Sequence, residues 1–557
     1  MPAMPDLRSS LSTATQIGRR VAVESRALAN ARRAGMIGGD SPRNTVKALR
    51  ASAQYGQFGS ATTIAAMRQG DRPGVIDELG TLSFIEVEAR ANALACALRS
   101  RGVREGESVG ILCRNHRGFV DITFAAAKIG ARILLLNTDF GGPQLIDVCT
   151  REDVALLIHD EEYSELVEPV VPRHGRLLGW TDGEPGPDAL ETLIAQFHGQ
   201  IPPPPSEHAK LVLLTSGTTG TPKGAPRSAG RSLAPIGALL SKVPYRSGES
   251  TYVAAPMFHG LGFTQMSLSM ILGCTTICER RFKPERVLDA IDRERPTALV
   301  VVPVMLARIV SLMEAEPSRW DTSSLRIVFC SGAQLEAELV RRAQKTIGDK
   351  LYNFYGSTEV AYATFATPQD LRAAPGCAGR VPFGAIVKLY DDDGRPVEGV
   401  GRTGRIFVGN GFQFEGYTGG GNKELIDGLM STGDVGHFDA SGRLFIDGRD
   451  DDMIVSGGEN LFPGEVEELL ITHAAVEEAG VIGVEDDDFG KRLAAFVVVR
   501  PGSTISEDEV REFVKSNLAR FKVPRDVVFL DELPRNPTGK VLKRRLRELH
   551  AAAAVDA

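Results

Sequence analysis

From about residue 80 onward the apolar positions of this chain switch repeatedly between two periods. Phe84, Val87, Ala91, Leu94, Ala95 and Leu98 recur at helical spacing, and Phe119 to Ile129 does the same. Val109 to Cys113 and Ile133 to Leu136 are short apolar runs of strand type. Such βα alternation predicts an α/β fold, with layered sheets covered by helices. The pattern resumes after Pro202 to Pro205, a stiff spacer. Strands are then expected at Leu211 to Leu214, Thr251 to Ala255, Ala298 to Val302, Leu325 to Phe329 and Leu351 to Phe354. Each ends near a polar or glycine-rich loop. Ligands of open α/β sheets gather outside the carboxyl ends of strands, so these loops are expected to converge on one site.

Around Gly448 to Asp452 the character changes, because three acids crowd one arginine in a segment unlike anything buried. A compact α+β pattern follows: Pro463 to Leu470 and Glu507 to Leu518 are helical, Val476 to Val484 and Leu493 to Val499 strand-like. The expected division is a basic N-terminal extension over 1–60, a large domain over 61–448 and a small α+β domain over 449–557. A chain of 557 residues exceeds what one core holds, in keeping with that division.

Composition narrows the classes. With 43% hydrophobic and 24% charged residues the chain reads as soluble and globular, and a net charge of −7 argues against a nucleic-acid binder. Seven scattered cysteines without a CxxC pair suit reduced core thiols in a cytoplasmic protein rather than disulfides or zinc. No run of eighteen apolar residues offers a membrane span. The first fifty residues carry Arg8, Arg19, Arg20, Arg26, Arg32, Arg33, Arg43, Lys47 and Arg50 against Asp6, Glu24 and Asp40. Two readings stand for this arm: peripheral contact with the anionic inner face of a membrane, or a solvated, partly ordered extension.

The densest chemistry lies in Thr215-Ser216-Gly217-Thr218-Thr219-Gly220-Thr221-Pro222-Lys223-Gly224, directly after an aliphatic strand. Glycines let successive amides turn inward, hydroxyls add donors, and Lys223 brings a compact cation, so the loop suits a polyphosphate. A flexible linker is the plain alternative. The usual kinase or ATPase loop ends in Gly-Lys-Ser/Thr, whereas here Pro222 precedes Lys223 and Gly224 follows it.

This run resembles the phosphate-binding motif of the adenylate-forming superfamily, which includes acyl-CoA synthetases, luciferases and peptide-synthetase adenylation domains. Further motifs match in family order. Tyr355-Gly356-Ser357-Thr358-Glu359 resembles a family hallmark, in which Thr358 would meet the α-phosphate and Glu359 would ligate Mg2+. Gly332, Ala333 and Gln334 resemble the adenine-side loop. Asp434, in Ser431-Thr432-Gly433-Asp434, resembles the ribose-binding aspartate, whose two oxygens suit a vicinal diol. Arg449 matches the arginine that also contacts ribose, and Asp451 falls at the family hinge. Lys540, in Pro534 to Val541, resembles the catalytic lysine of the mobile C-terminal domain. His259, in Met257-Phe258-His259-Gly260, corresponds to a residue at the acyl-pocket mouth, with Leu261 to Leu272 as the helix beside the acyl chain. Gly457-Gly458-Glu459-Asn460 and Phe462 to Glu467 look especially like fatty-acyl-CoA synthetases, where the Gly457-Gly458 face lines a pantetheine tunnel.

The resemblance implies ATP-dependent activation of a fatty acid, of medium to long chain, to acyl-AMP, then transfer to coenzyme A after the small domain rotates. ATP, Mg2+ and coenzyme A are the implied cofactors, with small molecules as partners and a homodimer as a further expectation. The rival readings are a fatty acyl-AMP ligase loading a carrier protein in trans and a degenerate nucleotide-binding regulatory protein.

Overall fold

The computed structural model describes residues 7–215, 223–228, 232–412, 414–418, 420–450, 454–456, 459–461, 463–486, 490–518, 522–536 and 539–556. Two sheets organise the large domain. The first runs in spatial order Thr364–Ala366, Leu351–Tyr355, Ile327–Cys330, Ala298–Val301, Ser250–Val253, Thr275–Ile277, Pro73–Asp77 and Gly80–Ser83. Its inner strands are parallel and its two edges antiparallel. The second runs Arg176–Trp180, Val154–Asp160, Ser108–Leu112, Arg132–Leu135, Lys210–Thr215 and Lys223–Ser228, parallel except for the last strand.

Parallel strands covered by helices on both faces cannot alternate in polarity. Val154–Asp160 and Ser108–Leu112 are accordingly buried at every position, which explains why the sequence shows unbroken apolar runs there. The helix Phe84–Ser100 starts at a capping box, Ser83 with Glu86, and buries Val87, Ala91, Leu94 and Leu98. Burial of each such leucine or valine contributes about 1.5–3 kcal/mol. The helix Gly260–Leu272 is buried nearly all round, so its sequence is apolar without a polar face.

An antiparallel sheet of Ile386–Tyr390, Gly404–Gly409, Leu429–Phe438, Leu425–Ile426 and Leu444–Arg449 completes the large domain. Beyond it, Val476–Asp486, Gly490–Val499 and Asp526–Leu530 form a small sheet. One core beneath that sheet gathers Val466 and Leu470 with Val510 and Val514, from the helices Pro463–Ile471 and Glu507–Asn517. A second gathers Leu546, of the helix Lys543–Asp556, with Ile482 and Phe496.

The basic N-terminal stretch forms two helices, Leu7–Arg33 and Pro42–Gly59, and from Ala27 onward several of its residues are docked rather than free. Ala27, Ala31 and Ala34 are buried, and a side chain at Gly237 would meet the Ala27 Cα at 2.5 Å. Glu24 accepts hydrogen bonds from Ser232 Oγ at 2.5 Å and Leu233 N at 3.2 Å, at the entry to the helix Ala234–Lys242. Tyr55 donates to the Pro202 carbonyl at 2.7 Å. Arg43, Lys47 and Arg50 face solvent. Among the described residues no helix is long and apolar enough to cross a membrane.

Candidate active site

The carboxyl ends of the first sheet's parallel strands do meet. Ser331 follows Ile327–Cys330 and donates to the Phe354 carbonyl of the neighbouring strand at 2.8 Å. Tyr355 closes Leu351–Tyr355. From Ser250–Val253 the chain turns toward His259 around Asn115, whose amide donates to the carbonyls of Val253 (3.2 Å) and Ala255 (3.0 Å) and accepts from Met257 N (2.7 Å). A buried side chain with all these partners fixes the turn, so His259 begins the helix Gly260–Leu272 in a set place.

Tyr355 to Glu359 forms a tight loop. A Cβ on Gly356 would lie 2.1 Å from the Ala361 carbonyl oxygen, so no other residue fits. The Glu359 carboxylate is buried and held at both oxygens: Ser357 Oγ donates at 2.9 Å and the Tyr417 hydroxyl at 2.7 Å. Each oxygen keeps a lone pair, and a hard anionic oxygen donor of this kind fits magnesium.

Tyr355 donates to Asp434 Oδ2 at 2.6 Å, while Arg449 approaches Asp434 Oδ1 at 3.4 Å. Asp434 and Arg449 are direct partners in the antiparallel ladder, so strand register brings them together across fifteen positions of chain. Burial raises the Asp434 pKa, opposed by Arg449, Tyr355 and Lys540.

Lys540 reaches this cluster from the small domain. Gly539 sits at φ 80° with its α-carbon against the large domain, where a Cβ would meet Val304 Cγ1 at 2.5 Å. The lysine keeps solvent access yet is walled by protein. That crowding lowers its pKa, with Asp434 and Glu359 opposing and Arg449 adding. His259 is pushed down to about 4 by burial first and then by Lys540, so its ring is neutral at pH 7. Lys540, Asp434, Arg449, Glu359 and His259 therefore form one electrostatic unit drawn from both domains.

The domains also touch beside it. Gln334 donates to Glu468 at 2.7 Å, so the side chain expected at the adenine here bonds the small domain. Burial, then Glu467 and Glu468, push Glu336 up to about 7; Arg535 opposes and Glu478 adds. Gly332 adopts φ 100°, and it and Ala333, next to Gln334 in the chain, are half-buried.

Lys223 and Gly224 were expected in the phosphate loop but begin the strand Lys223–Ser228, paired with Thr215 and Leu214. Thr215 and Lys223 thus pair in antiparallel strands, on either side of residues 216–222. Ser216, Gly217, Thr218, Thr219 and Gly220 of that loop, the expected hinge Asp451, and Gly457 and Gly458 lie outside the described residues. Thr358 is described and half-buried, between Ser357 and Glu359 in the chain.

Two features escaped sequence reasoning. Tyr417 lies 58 positions from Glu359 in a Gly-Tyr-Thr-Gly-Gly-Gly turn with no local mark of its contact. The second is a buried group, Cys113, His116 and Asp160, spaced as metal ligands are. Its polar atoms are already matched: His116 Nδ1 accepts from Gly118 N at 3.1 Å, leaving Nε2 to donate to Asp160 at 2.8 Å, and Asp160 also accepts from Arg114 N at 2.9 Å. Burial, reinforced by Asp160, holds the Cys113 thiol protonated. This is core polar packing. None of the seven cysteines forms a disulfide.

Comparison with known proteins agrees with the geometry. Residues 63–418 match the family described as AMP-binding enzyme, and residues 465–540 match the AMP-binding enzyme C-terminal domain. The chain is 35% identical to a feruloyl-CoA synthase of Amycolatopsis, over 84% of this chain and 93% of that one. It is 32% identical to an indoleacetate–CoA ligase of Aromatoleum aromaticum, again over 84% and 93%. Among solved structures, o-succinylbenzoate CoA synthetase of Bacillus subtilis, in complex with its acyl-adenylate intermediate, is similar with a TM-score of 0.76 at 27% identity, over 88% of this chain and 98% of that one.

Proposed function

We propose that this chain, which belongs to the AMP-binding enzyme family, is an acid–thiol ligase that joins a carboxylic acid to coenzyme A through an acyl-adenylate. The observation that carries the reading is Lys540, a small-domain cation within electrostatic reach of Asp434, Glu359 and His259 of the large domain. A carboxylate is a poor electrophile because its charge repels nucleophiles and oxide is a poor leaving group. Conversion to a mixed anhydride with AMP removes both obstacles.

In the first half-reaction a carboxylate oxygen attacks the α-phosphorus of ATP, a new O–P bond forms, and the bond to pyrophosphate breaks. Positioning and electrostatics do most of the work in such transfers. Lys540 bridges the acid and the α-phosphate, Thr358 donates to that phosphate, Asp434 and Arg449 hold the ribose, and the Thr215–Lys223 hairpin receives the polyphosphate. Gly332, Ala333 and Tyr355 border the base. Glu359 would hold magnesium, which when bound neutralises charge on the phosphate oxygens. His259, neutral at working pH, borders the acid and adds no competing positive charge beside Lys540.

In the second half-reaction the thiol gives up its proton to solvent, its sulfur attacks the acyl carbon, a C–S bond forms, and AMP leaves with the C–O bond electrons. Lys540 blocks that approach while it is docked. We therefore assign residues 61–448 to the AMP- and acid-binding domain and 449–557 to a mobile domain hinged at Asp451, with Gly457 and Gly458 facing the pantetheine arm after rotation.

The acid is read as an aryl or arylalkanoic acid, because the relatives named above carry such acids in their names. A medium-to-long fatty acid is the second reading, favoured by the apolar helix Gly260–Leu272 that follows His259. A panel from acetate through ferulate and indoleacetate to oleate, assayed for CoA-dependent AMP release, tests both. If no acid yields AMP, the reading fails.

A further inference from the structure

We propose that Tyr417 is a positioning residue that ties the magnesium-binding carboxylate to the phosphate-loop lysine, its hydroxyl orienting Glu359 and its ring supporting Lys223. The proposal rests on the acyl-adenylate reading and deepens it, because nothing in the family resemblance marked this residue.

The geometry is that of a strap. Phe414 N donates to the Glu359 carbonyl at 2.9 Å, Glu415 N donates to the Pro226 carbonyl at 3.2 Å, and Thr418 N donates to the Gly224 carbonyl at 3.0 Å. Residues 414–418 are thus fastened at one end to the loop carrying Glu359 and at the other to the strand that begins with Lys223. Gly224 leaves no slack, since a Cβ there would meet Thr418 Oγ1 at 2.6 Å and Glu152 Oε1 at 2.8 Å. Tyr417 is further braced edge-on by Phe414, ring centroids 4.8 Å apart.

From this braced position the phenol does two things at once. Its O–H donates to Glu359 Oε1 at 2.7 Å, a charge-assisted bond that complements the Ser357 bond to Oε2 and leaves the carboxylate one orientation. Its face lies 5.3 Å from the Lys223 ammonium, within range of a cation–π contact. An anion-binding cation and a cation-binding anion are therefore indexed to one ring. A metal–triphosphate needs both at a fixed spacing, and an uncharged connector sets that spacing without competing for either partner.

Tyr417→Phe removes the hydroxyl and keeps the ring, whereas Tyr417→Leu removes both. The test measures Mn2+ binding by the EPR signal of free ion in the presence of α,β-methylene-ATP, and binding of that analogue without metal by calorimetry. Loss of an outer-shell partner costs about tenfold in metal affinity. Y417F is expected to raise the Mn2+ Kd about tenfold and to leave metal-free analogue binding within about twofold; Y417L should weaken both. A Y417F protein whose Mn2+ Kd stays within about twofold of wild type overturns the proposal. In a Glu359→Gln background Y417F should add nothing, and an additive loss there, which general destabilisation would produce, overturns it as well. Wild-type protein that binds the metal–analogue pair as described but never shows acid-dependent ATP–pyrophosphate exchange would overturn the acyl-adenylate reading and leave Tyr417 in its place.

Discussion

Under the proposed function, removal of the Lys540 ammonium is expected to divide the two half-reactions. The lysine is open to solvent and lies within electrostatic reach of Asp434 and Glu359. A unit charge about 4 Å from a developing phosphoryl charge at an effective dielectric of about 20 contributes about 4 kcal/mol. Solvent access trims this to about 3 kcal/mol, or ~100-fold in rate. Lys540→Ala should therefore slow acid-dependent ATP–pyrophosphate exchange by about two orders of magnitude, in the range found when one oxyanion donor is removed. Thioester formation from supplied acyl-AMP should change by less than about threefold, because the lysine has left the site by then. Single-turnover assays of each half-reaction with the same acid check this. Equal losses in both would refute the division of labour, and no loss in either would refute the role of Lys540 altogether.

Four more outcomes are expected. Because His259 is pushed down to about 4, the imidazole stays neutral from pH 5.5 to 8, and His259→Gln should keep the wild-type shape of the pH–rate profile over that range while raising the KM for the acid. Glu336 should couple domain closure to pH. Its carboxyl returns toward its ordinary value near 4.5 when the domains part but sits at about 7 when they meet, so the docked form loses stability as pH rises from 4.5 and has lost all of this contribution above about 7; Glu336→Gln should flatten the pH dependence of closure followed by small-angle scattering. Gly237→Leu places a side chain into Ala27 and should release the N-terminal helix, seen as new proteolytic cleavage before residue 34 and a loss of about 1–3 kcal/mol in denaturant unfolding. Asp451→Pro, which restricts φ at the proposed hinge, should impair one half-reaction and spare the other in the same single-turnover assays.

Much of the fold was legible in the chain because its cause is local. Continuous apolar runs such as Leu156 to Ile158 and Val109 to Leu112 are what a doubly covered parallel strand requires, and the helical spacing of Phe84 to Leu98 is what a one-sided helix requires. The motifs around Glu359, Asp434 and Lys540 could be picked out because each is a short run of distinctive residue types beside a glycine turn. Lys223 and Gly224 were misplaced into a loop, since nothing in Pro-Lys-Gly shows that Leu214 and Thr215 will pair with it.

Order along the chain, residue chemistry and period thus set the α/β class and the two-part organisation, and singled out the candidate residues. Tertiary structure alone decided that Asp434 faces Arg449 through strand register, that Lys540 of the small domain comes within electrostatic reach of Asp434 and Glu359, that Glu24 and Ala27 dock the N-terminal helix, and that Tyr417 bridges Glu359 and Lys223. The physical reason is range: periodicity and turn chemistry act over a few residues, whereas a hydrogen bond across 58 positions or a charge held at a domain boundary exists only once distant surfaces have been packed together.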